Sequence, residues 1–190
     1  MDYVSAYIHH YEINGKAGAG AGEGLSKLVR WKKAGFVDGM SLLDYGCGCG
    51  AILEGIKDKS DYLGVDIVPK AIEYARIDYP ECTFRVITPG KLDTEKKQFV
   101  GAGSVFTHTA KSLVDASLSD VKSAMDESTL GIIDILEGDS AKDTIHLSYW
   151  KLEDFQSKLL EHGIASEVID RVKHPNGFEH TYLKISYDHR

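Results

Sequence analysis

The sequence predicts an α/β protein in which helices cover both faces of a seven-stranded, mostly parallel sheet with an antiparallel C-terminal strand. Its 190 residues suit one domain with a substantial core. Apolar residues make up 43% of the chain and charged residues 27%, which is ordinary for a globular protein. Between residues 41 and 162 short apolar runs alternate with helix-like segments, and this alternation is typical of βα units.

The N-terminal part, residues 1–34, is predicted to be an arm and a helix that precede the main domain of residues 35–190. Residues 2–13 predict a short helix or an ordered arm. The segment 15–24, GKAGAGAGEG, is either a solvated linker or a hinge that closes over a ligand. Apolar residues then recur at helical spacing up to about Ala34, which indicates an amphipathic helix.

The remaining elements alternate between strand and helix in chain order. Pro69 stands at the first position of one predicted helix, and Gly163 follows the end of another. The last two strands have no helix between them, so they are predicted to pair antiparallel. The predicted strands are 41–44, 62–66, 83–88, 98–106, 130–136, 165–172 and 181–187, and the predicted helices are 51–57, 69–77, 111–126 and 152–162.

Charge and composition exclude several classes of protein. The net charge of −7 gives no general attraction to nucleic acid or to an anionic membrane. No apolar run approaches the roughly 20 residues that span a bilayer, and the first residues lack the basic and apolar regions of a secretory signal. The three cysteines form no disulfide framework, so the sequence predicts a cytoplasmic protein.

A glycine-rich turn after the first strand carries the strongest chemical signal. Asp44 ends the strand, and the turn Gly46-Cys47-Gly48-Cys49-Gly50 leads into the next predicted helix. Glycines allow a tight turn and let a ligand lie directly on the backbone. Gly46, Gly48 and Ala51 formally match a dinucleotide loop, but the acid before that loop would face a pyrophosphate. Asp44 instead suits a ligand that carries an ammonium group and no phosphate.

The pattern Asp44-x-Gly46-x-Gly48-x-Gly50 after an apolar strand resembles motif I of the class I S-adenosylmethionine-dependent methyltransferases. The resemblance implies a three-layer, Rossmann-like fold over about residues 35–190 and S-adenosylmethionine as the cofactor. It also implies that Asp66, at the end of the second strand, accepts both ribose hydroxyls and that Ile67 lies against the adenine. The residues that would bind the cofactor are Asp44, Gly46, Cys47, Gly48, Gly50, Asp66, Ile67, Thr88 and Ser104.

The chain departs from the family pattern after the third and before the fourth strand. Thr88 stands where the family usually carries an acid for the adenine amino group, so a hydroxyl or a backbone carbonyl would take that role. Lys97 and Gln98 stand where an acid often precedes the fourth strand.

Histidine and tyrosine side chains are the candidates for the chemistry at the acceptor. The segment Ser104-Val105-Phe106-Thr107-His108 is similar to one found in small-molecule members of the family, and His108 follows the strand where acceptor and methyl group meet. Histidine suits a general base, although His108 could also be a hydrogen-bonded structural residue. His146 and Tyr149 are predicted either to line the acceptor pocket or to pack at the start of the next helix, and Tyr11 of the N-terminal arm is predicted to contact the substrate or to cap the cofactor. No metal is expected, because Cys47 and Cys49 have no further ligands at a suitable spacing.

The function predicted from these features is methyl transfer from S-adenosylmethionine to a small-molecule acceptor. A small acceptor is favoured because no recognition domain is appended. One alternative is a nucleic-acid or protein substrate, for which Lys27, Arg30, Lys32 and Lys33 are the only basic cluster. Another is a protein that binds S-adenosylmethionine or S-adenosylhomocysteine without turnover. A nicotinamide-dependent oxidoreductase is the third, and Asp44 argues against it.

Overall fold

The chain folds into a mixed sheet flanked by helices. The computed structural model describes residues 5, 8, 9, 13–16, 24–139, 142–144, 147–175 and 177–189. The helices are α1 (Gly24–Lys33), α2 (Pro69–Asp78), α3 (Lys111–Ser123) and α4 (Leu152–Glu161), and one 3-10 turn spans Ala51–Glu54. The strands are β1 (Leu42–Tyr45), β2 (Tyr62–Asp66), β3 (Thr83–Val86), β4 (Phe99–Ala102), β5 (Leu130–Glu137), β6 (Tyr149–Trp150), β7 (Ile164–Lys173) and β8 (Glu179–Tyr187).

The sheet confirms the predicted α/β class. Its order is β3-β2-β1-β4-β5-β8-β7, and the two-residue β6 pairs beside β5 as an eighth strand. Strands β1 to β5 pair parallel, whereas β8 pairs antiparallel with both β5 and β7. The chain moves outward from β1 to β3 and then returns to place β4 on the other side of β1. Ligands of open α/β sheets bind at the carboxyl ends of the strands beside such a switch point.

The predicted elements that differ most from the structure are the helix after the glycine turn and the fourth strand. The helix predicted over 51–57 is the single 3-10 turn Ala51–Glu54, which Gly55 ends. A Cβ on Gly55 would lie 2.4 Å from a methyl group of Leu28, so α1 packs tightly over the point where this turn stops. The strand predicted over 98–106 ends at Ala102, because Ser104 adopts a left-handed conformation with φ 62° and turns the chain.

Apolar cores lie on the two faces of the sheet. The first contains side chains of α3 and α4 with β1, β2, β4, β5 and β8, and the second contains side chains of α1 and α2 with the parallel strands β1 to β5. Trp31 of α1 packs against Phe36 and Phe99 with ring centroids 6.2 and 5.7 Å away. A Cβ on Gly101 would lie 2.2 Å from the Trp31 ring, so this glycine lets α1 lie directly on β4. The packing fixes α1 beside the carboxyl end of β4.

The C-terminal hairpin completes one end of the sheet. Strand β7 has ten residues, and its pairing with β8 shifts register between Val168 and Asp170. Strand β8 lies between β7 and β5, so β7 is a terminal strand of the described sheet. Within the described part of the chain, no helix has the length and apolar character of a membrane span.

Candidate functional site

The glycine turn lies at the switch point between β1 and β4. Gly46, Gly48 and Gly50 all have left-handed φ angles, of 74°, 55° and 77°. The amides of Gly46 and Cys47 both donate to the Val65 carbonyl, at 2.7 and 3.0 Å, which ties the turn to β2. A Cβ on Gly46 would come within 2.4 Å of a Val105 methyl group. The turn therefore needs glycine both for its backbone conformation and for its approach to the segment after β4.

The two cysteines of the turn are buried. Cys47 packs in the core beneath α1, and Cys49 packs with Val68 and Ala71. Burial raises the pKa of both thiols, so they remain neutral and weakly nucleophilic. Among the described residues there is no group of three or more His, Cys, Asp or Glu side chains that could hold a metal ion.

Asp66, at the end of β2, holds the glycine turn from the other side. Its Oδ2 accepts a hydrogen bond from the Gly48 amide and its Oδ1 accepts one from the Val68 amide, both at 2.9 Å. Burial raises the pKa of this carboxyl, and the backbone amides act in the opposite direction. Each oxygen retains a second lone pair, so the carboxylate can still accept two hydroxyls of a ligand. Ile67 is partly buried and packs against the apolar cluster that contains Cys49, Val68 and Ala71.

Asp44 is a buried carboxyl group beside Asp66. Its Oδ2 accepts a hydrogen bond of 2.7 Å from the Tyr62 hydroxyl. Burial raises its pKa to about 6, the Tyr62 hydrogen bond and the Lys27 charge lower it, and Asp66 raises it further. A negative charge in this environment is stabilised by a bound cation.

Lys27 of α1 reaches the same site. Its Nζ donates to the Gly103 carbonyl at 3.3 Å, and its charge lowers the pKa of both Asp44 and Asp66. A Cβ on Gly24 would lie only 1.9 Å from the Ala51 carbonyl oxygen, so α1 begins in contact with the end of the glycine turn. The sequence indicated Lys27 only as part of a basic cluster, because nothing in its helical spacing shows which side chains meet β4.

The rest of that basic cluster is paired with neighbouring groups. Arg30 lies 4.3 Å from the centroid of the Tyr182 ring, and its Nε lies 3.6 Å from Asp170. Lys33 lies 3.2 Å from Asp170, and Lys32 lies 3.9 Å from Asp38. The cluster therefore forms no uncompensated basic stripe.

The segment after β3 contains Thr88 and is held by a residue that the sequence did not reveal. Thr88 is exposed and follows Ile87, whose amide donates to the Asp66 carbonyl at 2.9 Å. Asp120 of α3 is buried and accepts the amides of Gly90 and Leu92, each at 2.8 Å. It also accepts the Tyr45 hydroxyl at 3.0 Å. An aspartate inside an amphipathic helix reads as a surface residue in sequence, so this role was missed.

The segment after β4 carries Ser104 and His108. The Ser104 amide donates to Oδ1 of Asp134 at 2.6 Å, which fixes the left-handed turn next to the glycine turn. The His108 amide donates to the Val105 carbonyl at 2.9 Å, and the residue is partly buried.

The predicted substrate residues are only partly described. Tyr11 and His146 lie outside the described residues. Tyr149 belongs to β6, where its amide donates to Asp143 at 2.6 Å and its carbonyl accepts from Lys111 at 2.5 Å. Its ring lies 6.3 Å from the ring of Phe178, in the connection between β7 and β8.

A cavity of about 280 Å³ lies between α1 and the sheet, beside the carboxyl end of β4. Its wall contains a histidine–aspartate pair that joins β5 to β8: Nε2 of His180 lies 2.6 Å from Oδ2 of Asp134. The Tyr182 hydroxyl lies 3.2 Å from Nδ1 of His180. This pair was not predicted from the sequence. An acid inside the apolar strand LGIIDIL was the available signal, because acids are almost never fully buried without a partner.

A larger hollow of about 520 Å³ lies elsewhere and is lined by polar residues such as Asp61, Arg85 and Lys97. It borders Tyr62 and Thr83, the first residues of β2 and β3. Ligand sites in such sheets lie at the opposite ends of the strands, so the cavity beside β4 is the better candidate.

Comparison with known proteins supports the fold. No family model and no curated protein matches the sequence. A TehB-like SAM-dependent methyltransferase from Corynebacterium glutamicum matches with a TM-score of 0.67 at 21% identity, over 97% of this chain and 100% of that chain. A 1,6-didemethyltoxoflavin-N1-methyltransferase from Burkholderia thailandensis, with S-adenosylhomocysteine bound, matches with a TM-score of 0.72 at 14% identity, over 97% and 87%.

Another similar structure has a different activity in its description. SpnF, described as a [4+2]-cyclase, matches with a TM-score of 0.68 at 12% identity, over 86% of this chain and 80% of that chain. At these identities the comparisons show the fold alone, and the chemistry has to be argued from the site.

Proposed function

We propose that this chain, which has the fold of the class I S-adenosylmethionine-dependent methyltransferases, binds S-adenosylmethionine and transfers its methyl group to a small-molecule acceptor. The observation that carries the proposal is the Asp66 carboxylate, which holds the glycine turn through Gly48 and keeps lone pairs for two hydroxyls. A ribose offers two neighbouring hydroxyls. The three left-handed glycines beside it leave a backbone surface on which a ligand can lie.

The charges of the site also fit this cofactor. Asp44 is buried with a raised pKa, and an ammonium group close to it would stabilise its ionised form. S-adenosylmethionine carries such a group, and its sulfonium supplies an activated methyl. The side chains of this chain would contribute mainly by aligning the acceptor and excluding water. Alignment of this kind supplies about 7–11 kcal/mol of a reaction barrier.

A small acceptor is favoured over nucleic acid or a large protein surface. The cavity beside β4 has a volume of about 280 Å³, which suits a small ligand. The basic residues of α1 are paired with neighbours, and the net charge is −7, so a polyanion finds no attractive surface there. The three cysteines are free, which fits the proposed cytoplasmic location.

The test is calorimetric titration with S-adenosylhomocysteine, with NADH as the control ligand. We expect binding of S-adenosylhomocysteine to the wild type and at least a tenfold loss of affinity in Asp66→Ala. The matched control is Asp126→Ala, because Asp126 also accepts two hydrogen bonds at a turn, from the Ser128 amide and hydroxyl at 2.9 and 2.8 Å. It should bind as the wild type does. Absence of binding to the wild type, or preference for NADH, would refute the proposal.

A further inference from the structure

We propose that the cavity between α1 and the sheet holds the methyl acceptor and that His180 removes a proton from an acidic hydroxyl of that acceptor, such as a phenol. This inference rests on the proposed function, because it names the acceptor class and the base of the same site. Asp134 is a positioning residue that acts through His180.

The geometry of the pair selects the nitrogen that can act as the base. Asp134 is buried, and its two oxygens accept from the Ser104 amide and from Nε2 of His180, each at 2.6 Å. Because a carboxylate oxygen accepts hydrogen bonds, Nε2 carries the hydrogen that it donates to Asp134, which leaves Nδ1 as the ring nitrogen that can accept a proton. The Tyr182 hydroxyl lies 3.2 Å from Nδ1. An acceptor whose hydroxyl group replaces that of Tyr182 beside Nδ1 could transfer its proton to this nitrogen.

The cavity wall favours an acceptor that becomes negatively charged. Lys27 and Arg30 line it from α1, and His174 and His180 line it from the hairpin. Asp134 is the only acidic side chain among the described residues that line the cavity, and it is already paired with His180. Although Arg30 also pairs with Asp170, Lys27 and Arg30 bring positive charge to the wall where a phenolate or enolate oxygen would form.

The same cavity adjoins the cofactor site. Lys27 lines the cavity and also acts electrostatically on Asp44 and Asp66. Gly103 and Ser104 form part of the wall, and the next residue, Val105, lies against Gly46 of the glycine turn. An acceptor in the cavity is thus separated from the glycine turn by one short segment after β4. His108 is not among the residues that line this cavity.

The proposed step balances in atoms and charge. The O–H bond of the acceptor breaks, its proton moves to Nδ1 of His180, and its electron pair stays on oxygen. That oxygen forms a bond to the methyl carbon, whose bond to sulfur breaks with the electron pair going to sulfur, so the products are a methyl ether and S-adenosylhomocysteine. His180 then returns its proton to water, and Asp134 stabilises the imidazolium in the interval.

The test uses 4-nitrophenol as a probe, because its phenolate absorbs visible light and its neutral form does not. The probe is titrated into the full chain, with and without S-adenosylhomocysteine, at a pH below the probe's ordinary pKa. We expect phenolate absorbance to appear when the wild type is added. His180→Gln should lose at least nine-tenths of this signal, and Asp134→Asn should weaken it several-fold.

A second histidine–aspartate pair provides matched controls. Nε2 of His162 lies 3.0 Å from Asp115, and neither residue lines the cavity. His162→Gln and Asp115→Asn should keep the full phenolate signal. If His180→Gln does not fold, which circular dichroism will show, Asp134→Asn carries the test.

Each outcome decides a separate point. No phenolate signal with the wild type overturns the acceptor class, and an unchanged signal in both His180→Gln and Asp134→Asn overturns the role of His180. Loss of the signal in the two control variants as well would also overturn it. If S-adenosylhomocysteine fails to bind the wild type, the proposed function fails. The titration of 4-nitrophenol without that ligand still tests whether the cavity binds a phenol and whether His180 deprotonates it.

Discussion

Asp44 shows how one buried side chain links folding to ligand binding. Its carboxyl pKa rises from an ordinary 3.8 to about 6 because burial disfavours the charged form. The free energy of unfolding is therefore highest, as far as Asp44 is concerned, below pH 4. The Asp44 contribution to this free energy falls by about 3 kcal/mol as pH rises from about 4 to 6, since each pKa unit corresponds to about 1.4 kcal/mol.

Replacement of Asp44 by asparagine should make the unliganded protein more stable at pH 8. The expected gain is about 1–3 kcal/mol, because the amide removes the buried charge and can still accept from Tyr62. Urea unfolding at pH 5 and pH 8 measures this, and the gain should shrink at pH 5. Asp126→Asn is the control and should lower the stability at pH 8. Hydrogen bonds from Ser128 lower the pKa of Asp126 and so favour its charged form in the folded protein. A less stable Asp44→Asn at pH 8 would contradict the argument.

Replacement of Gly46 by alanine should destabilise the fold by about 2–4 kcal/mol. A left-handed residue other than glycine costs about 1–2 kcal/mol, and the clash with Val105 adds the cost of overpacking. Gly39→Ala is the matched control, because Gly39 also has a left-handed φ of 90° but its added Cβ would be 3.4 Å from the nearest atom. Denaturant unfolding should show a partial recovery in Gly46→Ala with Val105→Ala, and no recovery would refute the clash.

The residues of the site differ in how far sequence could predict them. Asp44, Asp66 and the glycines occupy fixed spacings around a strand and a turn, so local pattern was sufficient to single them out. Asp134 and His180 are 46 residues apart. They meet because β5 and β8 pair with Leu136 opposite His180 and Asp134 opposite Tyr182. That register depends on the assembled sheet.

At the scale of elements, α3 controls the segment that follows β3. Asp120 binds two amides of that segment and the hydroxyl of Tyr45, so one side chain joins α3, β1 and the segment that carries Thr88. In the proposed function this segment adjoins the adenine, and its position would depend on α3.

Replacement of Asp120 by alanine should cost about 2–4 kcal/mol of stability, because it leaves two part-buried amides and the buried Tyr45 hydroxyl without their acceptor. It should also weaken S-adenosylhomocysteine binding several-fold. Asp115→Ala on the same helix is the control, since that carboxylate pairs with Lys158 and His162 at the surface and should cost less than about 1 kcal/mol. Thermal unfolding and calorimetry give both values, and equal effects of the two substitutions would contradict the assigned role.

The turn after the glycines shows where local pattern misleads. Residues 51–57 predict a helix, yet only Ala51–Glu54 turn, and they do so as a 3-10 helix. Leu28 of α1, which is distant in sequence, packs over Gly55 and occupies the space that further helical turns would need. Local propensity carries no information about that contact.

For the molecule as a whole, the overall fold was the feature that the sequence predicted best. Alternating strand and helix patterns predicted seven strands, and the sheet contains them together with the two-residue β6, which is too short to leave a pattern. The division between an arm ending at residue 34 and a domain starting at residue 35 stays a prediction.

Binding at the proposed site should stabilise the whole fold. S-adenosylhomocysteine at a concentration 100-fold above its Kd should add about 2.7 kcal/mol, which raises Tm by about 5–10 °C for a chain of this length. Differential scanning fluorimetry measures the shift, with NADH and Asp66→Ala as the two controls. An equal shift with NADH would point to nonspecific binding.

The register shift in β7 should limit aggregation at high protein concentration. A long strand at the margin of a sheet offers unpaired backbone groups that can recruit the same strand from another molecule. Here the irregularity between Val168 and Asp170 interrupts the strand, and the neighbouring side chains include Glu167, Arg171 and Lys173. An irregular and charged edge strand is a poor template for fibril growth, so we expect β7 to disfavour self-association at this end of the sheet.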